Sequence, residues 1–331
     1  MEEQNTKTSK TKSHQDYSSS LQKKFKLFAD FTRLDHAIIV VFAIIAALLE
    51  NFVLQEISFN FEHILFIAAP FFISLYSFAI NDIVDYKTDA KNARNDRPLV
   101  NGSLSLNTAK IITHALWLVT ALLLIACATV AKGKSELISA VVILLGFYIS
   151  SVLYSIYLKD MPLLGNLFIG FSMAIPFMYA GVLANDFTLS QRLLFGAALL
   201  FGTSREVMKS VQDVEGDAVA RKSKTLPVII GIQSSYWFAV WLLLTLLLMA
   251  LINVLIIVIF FHPVVAQGAW LIVNLGLALL AGYNLKLLLM LKNLEPQTIE
   301  VYRTKTKWLF VVAVLLYVGG VIAFEIIDQI K

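Results

Sequence analysis

The chain has 331 residues, 58% of them hydrophobic and only 15% charged, with a mean hydropathy of +0.74. Soluble domains run at about 45–50% apolar and about 25% charged, so this composition excludes a soluble enzyme or binding module and marks a membrane protein. The net charge of +4 does not imply nucleic acid, because the basic residues sort to one side of the membrane. The single cysteine, Cys127, lies in an apolar run, which excludes a disulfide framework and a cysteine metal site.

Residues 1–26 are polar and rich in Lys, Ser, Thr and Gln, with no apolar segment. They read as a disordered arm, not a cleaved signal peptide, ahead of one transmembrane domain over 27–331. Leu21 to Arg33 forms a short basic lead-in, and Arg33 and His36 stand at the mouth of the first span. Apolar runs of about 18 residues or more then recur. They predict an all-α polytopic protein with nine spans, near 37–56, 63–80, 107–130, 137–157, 163–184, 191–211, 235–261, 264–291 and 307–327. With nine spans, 23 of the 27 Lys and Arg fall on one side and 4 on the other. That side is cytoplasmic, so the N-terminus is expected inside, the C-terminus outside, and the basic loops against anionic membrane lipids.

The second span closes on Asn81-Asp82-Ile83-Val84-Asp85-Tyr86-Lys87-Thr88-Asp89. If the helix continues, Asn81, Asp85 and Asp89 follow an i, i+4, i+8 row with Asp82 beside them on one face. Like charges so stacked repel, and a cation is needed to hold them together. Lys87, Lys91, Arg94 and Arg97 follow, before Pro98 and Asn101-Gly102 end the helix. Guanidinium forks suit phosphate oxygens, which singles out Arg94 and Arg97. The fourth span ends in Tyr154-Ser155-Ile156-Tyr157-Leu158-Lys159, and Lys159 is the only cation of that short loop. Pro176 falls within the fifth span and is expected to kink it.

The sixth span runs into Arg205-Glu206-Val207-Met208-Lys209 and on to Asp213-Val214-Glu215-Gly216-Asp217. Glu206, Asp213 and Asp217 fall at i, i+7 and i+11, predicting a second acidic helical stripe, with Lys209 four residues before Asp213. Arg221, Lys222, Lys224 and then Leu226-Pro227 follow. The second and sixth helices thus share one design, which suggests a duplicated helical unit. The histidines, at 14, 36, 63, 114 and 262, are never paired at metal-ligand spacing. Tyr76, Phe78, Tyr148, Tyr154 and Phe171 are candidates to line a cavity. Two acidic clusters flanked by Arg and Lys match a diphosphate held by Mg2+, which takes one or two carboxylates directly and fills its sphere with waters and phosphates. Beside an apolar cavity, they describe a lipid diphosphate ionised at the cytoplasmic surface.

Asn81-Asp82-x-x-Asp85-x-x-x-Asp89, Tyr154-Ser155 to Lys159 with Gly165-Asn166, and Asp213 to Asp217 before Lys224-Thr225-Leu226-Pro227 resemble the UbiA-type intramembrane prenyltransferases over roughly residues 30–325. The resemblance implies nine helices around a central cavity, Mg2+ dependence, and prenyl transfer from a polyprenyl diphosphate donor to an acceptor. It implies that Asp82, Asp85, Asp213 and Asp217 hold Mg2+ and diphosphate, with Asp89 a further metal ligand, Asn81 assisting, and Lys159, Arg94 and Arg97 on phosphate oxygens. Tyr154, Glu206, Lys209, Arg221 and Lys224 are further substrate-binding candidates on the same ground. The aromatic cavity would stabilise the allylic cation, the acceptor oxygen would attack it, and Asp89 or the departing diphosphate would take the proton.

Within the family, Arg205-Glu206-Val207-Met208-Lys209 leading into Asp213 to Asp217 is most similar to the archaeal-type digeranylgeranylglyceryl phosphate synthases. These attach a second geranylgeranyl chain to the free hydroxyl of geranylgeranylglyceryl phosphate, a lipid-phosphate acceptor that suits the surplus of cytoplasmic cations. Arg33-Leu34-Asp35-His36 departs from the Arg-Pro and Asn common in relatives, and the polar arm is unusual. Homogentisate and chlorophyll prenyltransferases carry similar Asp-x-Glu-Gly-Asp segments, so an aromatic or quinone acceptor is the alternative. A transporter is the alternative from another class, because ionisable groups in helices are also transporter traits. No nucleic acid and no protein partner is expected.

Overall fold

A computed structural model describes residues 21–55, 60–91, 94–218, 223–260, 265–306 and 308–329. The expected arm over residues 1–20 and the candidate Arg221 lie outside the described residues. Among the described residues all regular structure is helical, as apolar segments without an open sheet edge require in a bilayer. Residues 21–32 form α1, the short basic lead-in expected from Leu21 to Arg33, which takes in the last residues of the polar arm. Arg33 follows with φ of 48°, a left-handed conformation that breaks the helix before α2 (Leu34–Gln55).

The chain continues through α3 (Phe61–Lys91), α4 (Leu106–Val130), α5 (Ser135–Ile156), a 3-10 turn (Leu158–Asp160) and α6 (Leu164–Leu183). Then come α7 (Leu189–Gln212), the short α8 (Val214–Gly216) and α9 (Leu226–Ile230), α10 (Ile232–Phe260), α11 (Val265–Leu289), α12 (Pro296–Thr306) and α13 (Leu309–Gln329). Eight stretches of the described chain are long and apolar enough to cross a membrane. They fall on α2 to α6, α10, α11 and the run Pro296–Ala323 through α12 into α13. The protein is an integral membrane protein, and the difference from nine lies in α7. That helix has 24 residues and stands where the sixth span is expected, but its buried side includes Gln191, Thr203 and Ser204.

α6 and α7 make a hairpin packed on small residues. A methyl group on Gly170 would sit 2.1 Å from Thr203 Oγ1 and 2.7 Å from the Leu199 carbonyl, and one on Gly202 would sit 2.9 Å from Gly170 Cα. Backbones approach that closely in membranes only where side chains are absent. Thr188 and Gln191 form a capping box that starts α7.

Pro70 and Pro176 lie inside α3 and α6, and both helices continue past them. Proline at 70 withholds the N–H that would serve the Phe66 carbonyl one turn earlier. The Tyr179 hydroxyl, fully buried in α6, donates to that carbonyl at 2.7 Å instead. At the end remote from Asp82, Glu50 of α2 is buried and accepts from the hydroxyls of Thr188, Ser190 and Tyr317, which ties α2 to α7 and α13.

Candidate active site

α3 runs unbroken through the acidic row, and this brings Asn81 Nδ2 to Asp85 Oδ2 at 3.1 Å. Asp82 and Asp85 are buried, at 3% and 8% exposure, while Asp89 is half-buried. The expected repulsion is met by the protein's own cations from three other segments. Arg33 Nη2 lies 2.8 Å and Arg97 Nη1 3.4 Å from Asp82 Oδ1, and Lys159 Nζ pairs with Asp85 Oδ1. A buried carboxylate requires a partner, and arginine and lysine supply part of the positive charge that the row calls for. Arg33 also rests over the Phe78 ring, 4.8 Å from its centroid.

Each cation is positioned by backbone geometry. Arg33 occupies the break between α1 and α2, and Arg97 lies in the turn that leaves α3, where the Arg97 carbonyl accepts from Val100 and Asn101. Lys159 sits in the 3-10 turn packed against Gly165, whose added Cβ would meet the Leu158 carbonyl at 3.0 Å and Lys159 Cα at 3.1 Å. Burial, and next the adjacent Arg33, push the Arg97 guanidinium below its ordinary pKa, with Asp82 opposing. Arg94 is shifted upward by its hydrogen bond to Asp96, and it also feels the charges of Asp213 and Asp89. That reach links the two acidic segments.

The second segment departs from the predicted stripe. α7 ends at Gln212, Asp213 caps it with its N–H on the Lys209 carbonyl at 3.0 Å, and α8 starts anew. Helical spacing therefore does not carry from Glu206 through Asp217. Glu206 instead pairs with Lys209 at 2.8 Å and stands among Arg205 and Arg303. Asp217 is buried, its N–H donates to the Asp213 carbonyl at 3.0 Å, and its own carbonyl accepts from the Ser223 N–H and hydroxyl, each at 3.2 Å. The Lys224 N–H donates to the Asp160 carbonyl at 3.1 Å and Asn166 Nδ2 to Ser210 Oγ at 2.8 Å, so the Lys159 turn bridges to the second segment. Lys224 itself is exposed.

Aromatic rings lie one to two turns below. Tyr76 and Tyr148 face each other at 5.5 Å, and Tyr154 stacks on Phe168 at 4.8 Å. Tyr76 precedes Asp82 by six residues and Tyr154 precedes Lys159 by five, so both rings lie within two turns of the ion-paired residues along the chain. Phe171 packs on Phe195 instead.

Among the described residues no three His, Cys, Asp or Glu side chains gather as a metal site. The residues fit Mg2+ on other grounds. Asp82 Oδ2 and Asn81 Oδ1 are buried oxygens without a hydrogen-bond partner, and hard oxygen donors in ones and twos are what Mg2+ takes from protein. On sequence grounds Arg33 or His36 could face the site from the mouth of the first span, and Arg33 does. Its pairing with Asp82 depends on a backbone break that no local composition announces.

Comparison with known proteins places the chain in a family. The chain is 32% identical over 209 residues to the digeranylgeranylglyceryl phosphate synthase of Methanobrevibacter smithii, covering 62% of this chain and 70% of that one. It is 30% identical over 204 residues to the synthase of the same name from Archaeoglobus fulgidus, covering 60% and 65%. The fold is similar to that of a solved structure described as a digeranylgeranylglyceryl phosphate synthase in membranes, with a TM-score of 0.60 at 24% identity over 90% of this chain and 99% of that one. It is likewise similar to a UbiA homologue from Archaeoglobus fulgidus bound to GPP and Mg2+, with a TM-score of 0.62 at 15% identity over 89% and 99%. The model of the UbiA prenyltransferase family matches residues 38–300, from the start of α2 through both acidic segments to α12. On that match the chain belongs to the UbiA prenyltransferase family, and it is a prenyltransferase of the membrane.

Proposed function

We propose that the protein transfers a geranylgeranyl group from geranylgeranyl diphosphate to the free hydroxyl of geranylgeranylglyceryl phosphate. The observation that carries this reading is Asp82, held on one oxygen by Arg33 and Arg97 and unbonded on the other, beside Asp85 held by Lys159. Such a layer of paired carboxylates and cations suits a polyanionic headgroup, because phosphate oxygens can share the cations without leaving a carboxylate bare. Relatives bearing the synthase name at 32% and 30% identity support this choice of acceptor.

Asp82, Asp85, Asp89, Asp213 and Asp217 would hold Mg2+, with Asn81 assisting. When bound, Mg2+ neutralises charge on the diphosphate and makes it a better leaving group. Lys159, Arg94, Arg97 and Lys224 take the remaining phosphate charge. Tyr76, Tyr148 and Tyr154 present ring faces to the cationic end of the prenyl chain and exclude water. The acceptor hydroxyl attacks the prenyl carbon, and its proton goes to the departing diphosphate or to Asp89.

We read α7 as the ninth span of a bundle around a central cavity, with residues 27–331 one domain, the acidic segments cytoplasmic, the N-terminus inside and the C-terminus outside. The division of Lys and Arg, 23 against 4, supports that orientation. Purified protein given geranylgeranyl diphosphate, and offered geranylgeranylglyceryl phosphate or a panel of aromatic acids including homogentisate, tests the reading by product mass. Transfer confined to an aromatic ring would overturn it.

A further inference from the structure

Arg205 of α7 makes no hydrogen bond and no ion pair among the described residues, and its Nε is shut away from solvent. Arg303 of α12 lies close enough for the two guanidinium groups to repel each other. Arg303 Nη1 donates to Gln212 Oε1 at 2.5 Å and lies 3.4 Å from the exposed Glu300, but its Nε is also buried and unbonded. The nearby Glu206 has its own cation in Lys209. Three cations thus stand among two carboxylates, and one of the cations has no direct partner. A sheltered arginine so placed is costly unless an anion completes it.

The neighbourhood defines that anion further. Phe201, one helical turn before Arg205 and on the same side of α7, lines an apolar pocket. Leu280, one turn before Asn284 on α11, lines the same pocket. Asn284 Oδ1 accepts from the Tyr302 hydroxyl at 2.9 Å, and Tyr302 lies within the field of Arg205. Phe177, Leu194, Leu246 and Phe310 complete the greasy wall. Arg205, Asn284, Tyr302 and Arg303 therefore form a polar layer one turn beyond an apolar hollow, on α7, α11 and α12 together. Through Gln212 this layer adjoins Asp213 of the second acidic segment.

We propose that Arg205 and Arg303 seat the phosphate of the acceptor, a phosphate monoester carried on a long hydrocarbon chain, and that the chain runs past the apolar pocket beside them. Two planar forks can take a terminal phosphate through charge-assisted pairs, while Phe201 and Leu280 cover the first turns of the tail. The diphosphate clamp and the acceptor seat are then two separate anion sites on one enzyme. This inference rests on the reading that the acceptor carries a phosphate.

The test uses the full chain in nanodiscs without donor, with geranylgeranylglyceryl phosphate and its dephosphorylated alcohol as probes, and binding followed by native mass spectrometry. The wild type should bind the phosphate form roughly 10- to 100-fold more tightly than the alcohol, and Arg205→Gln or Arg303→Gln should remove most of that difference. In turnover, both variants should raise KM for the acceptor by a similar factor and leave KM for geranylgeranyl diphosphate unchanged, with Arg205→Lys intermediate. A thermal melt of ligand-free Arg205→Gln at or above wild type verifies folding, since an unpaired charge has been removed. Variants that bind the phosphate lipid like the wild type would overturn the seat, as would a rise in donor KM instead. Equal displacement of the probe by dioleoyl phosphatidate would assign the arginines to bulk lipid and overturn the acceptor role. Should transfer to this acceptor fail while Arg205-dependent binding persists, the proposed reaction falls and the seat stands. Should transfer proceed unaltered in both variants, the seat falls and the reaction stands.

Discussion

Arg33 and Asp82, 49 residues apart in the chain, meet at 2.8 Å across the break between α1 and α2. Arg97 reaches the same carboxylate oxygen from the turn after α3, so one buried oxygen takes two guanidinium groups while the other is left unbonded.

Asp82→Asn keeps the shape but removes the charge on which that arrangement is built. Turnover should fall by about 10²–10³, the scale seen when an oriented electrostatic group is lost from a reacting site. Chelation of divalent metal with EDTA should abolish diphosphate release in the wild type, and Mg2+ should restore it. Phosphate-release assays at saturating donor check both, and full activity of Asp82→Asn would remove the metal argument.

Lys159 is the partner of Asp85, and its turn is pressed against Gly165. Lys159→Met should raise KM for the diphosphate donor by roughly tenfold or more, the worth of one charge-assisted contact, and Lys159→Arg should recover part of it. Gly165→Ala should show a smaller effect in the same direction, because its methyl displaces the backbone of the turn by a few tenths of an ångström. Steady-state kinetics with donor varied at fixed acceptor measures all three.

Tyr179→Phe should lower stability by about 1–3 kcal/mol, since the Phe66 carbonyl is left without its donor in a region where water does not reach. The loss should shrink when Pro70 is also replaced by alanine, whose N–H can serve that carbonyl within the helix. A double-mutant cycle of thermal melts in detergent reads the coupling; equal losses in both backgrounds would separate Tyr179 from Pro70.

Glu50→Leu strands three hydroxyls, those of Thr188, Ser190 and Tyr317, where one carboxyl now gathers them. It should destabilise by about 3 kcal/mol or more, and Glu50→Gln by less. Because Glu50 lies roughly 25 Å from Arg33 along α2, donor KM should be unchanged in the folded fraction.

The first acidic row was legible because the spacing of Asn81, Asp85 and Asp89 is helical and the chain obeys it through Lys91. Lys159 was legible as the lone cation of a short loop. The second row was misread: the spacing of Glu206, Asp213 and Asp217 fits a helix, but α7 stops at Gln212. Glu206 is then drawn to Lys209 one turn away, a local pairing that competes with any distant role. Arg33 and Tyr179 find their partners 49 and 113 residues away, and such contacts follow from packing, which no periodicity encodes. α7 was legible as the span expected near 191–211, but the polar residues it carries keep it out of the eight stretches apolar enough to cross a membrane.

The meeting of Gly170 and Gly202 has a consequence for redesign. Neither position admits even a methyl group without moving backbone, so the α6–α7 crossing acts as a fixed axle that mutation cannot widen by degrees. Phe201 is the immediate neighbour of Gly202 and, like Leu246 and Leu280, lines the apolar pocket with its side chain. Libraries meant to change which hydrocarbon tails are admitted should hold 170 and 202 constant and vary those three walls around the axle.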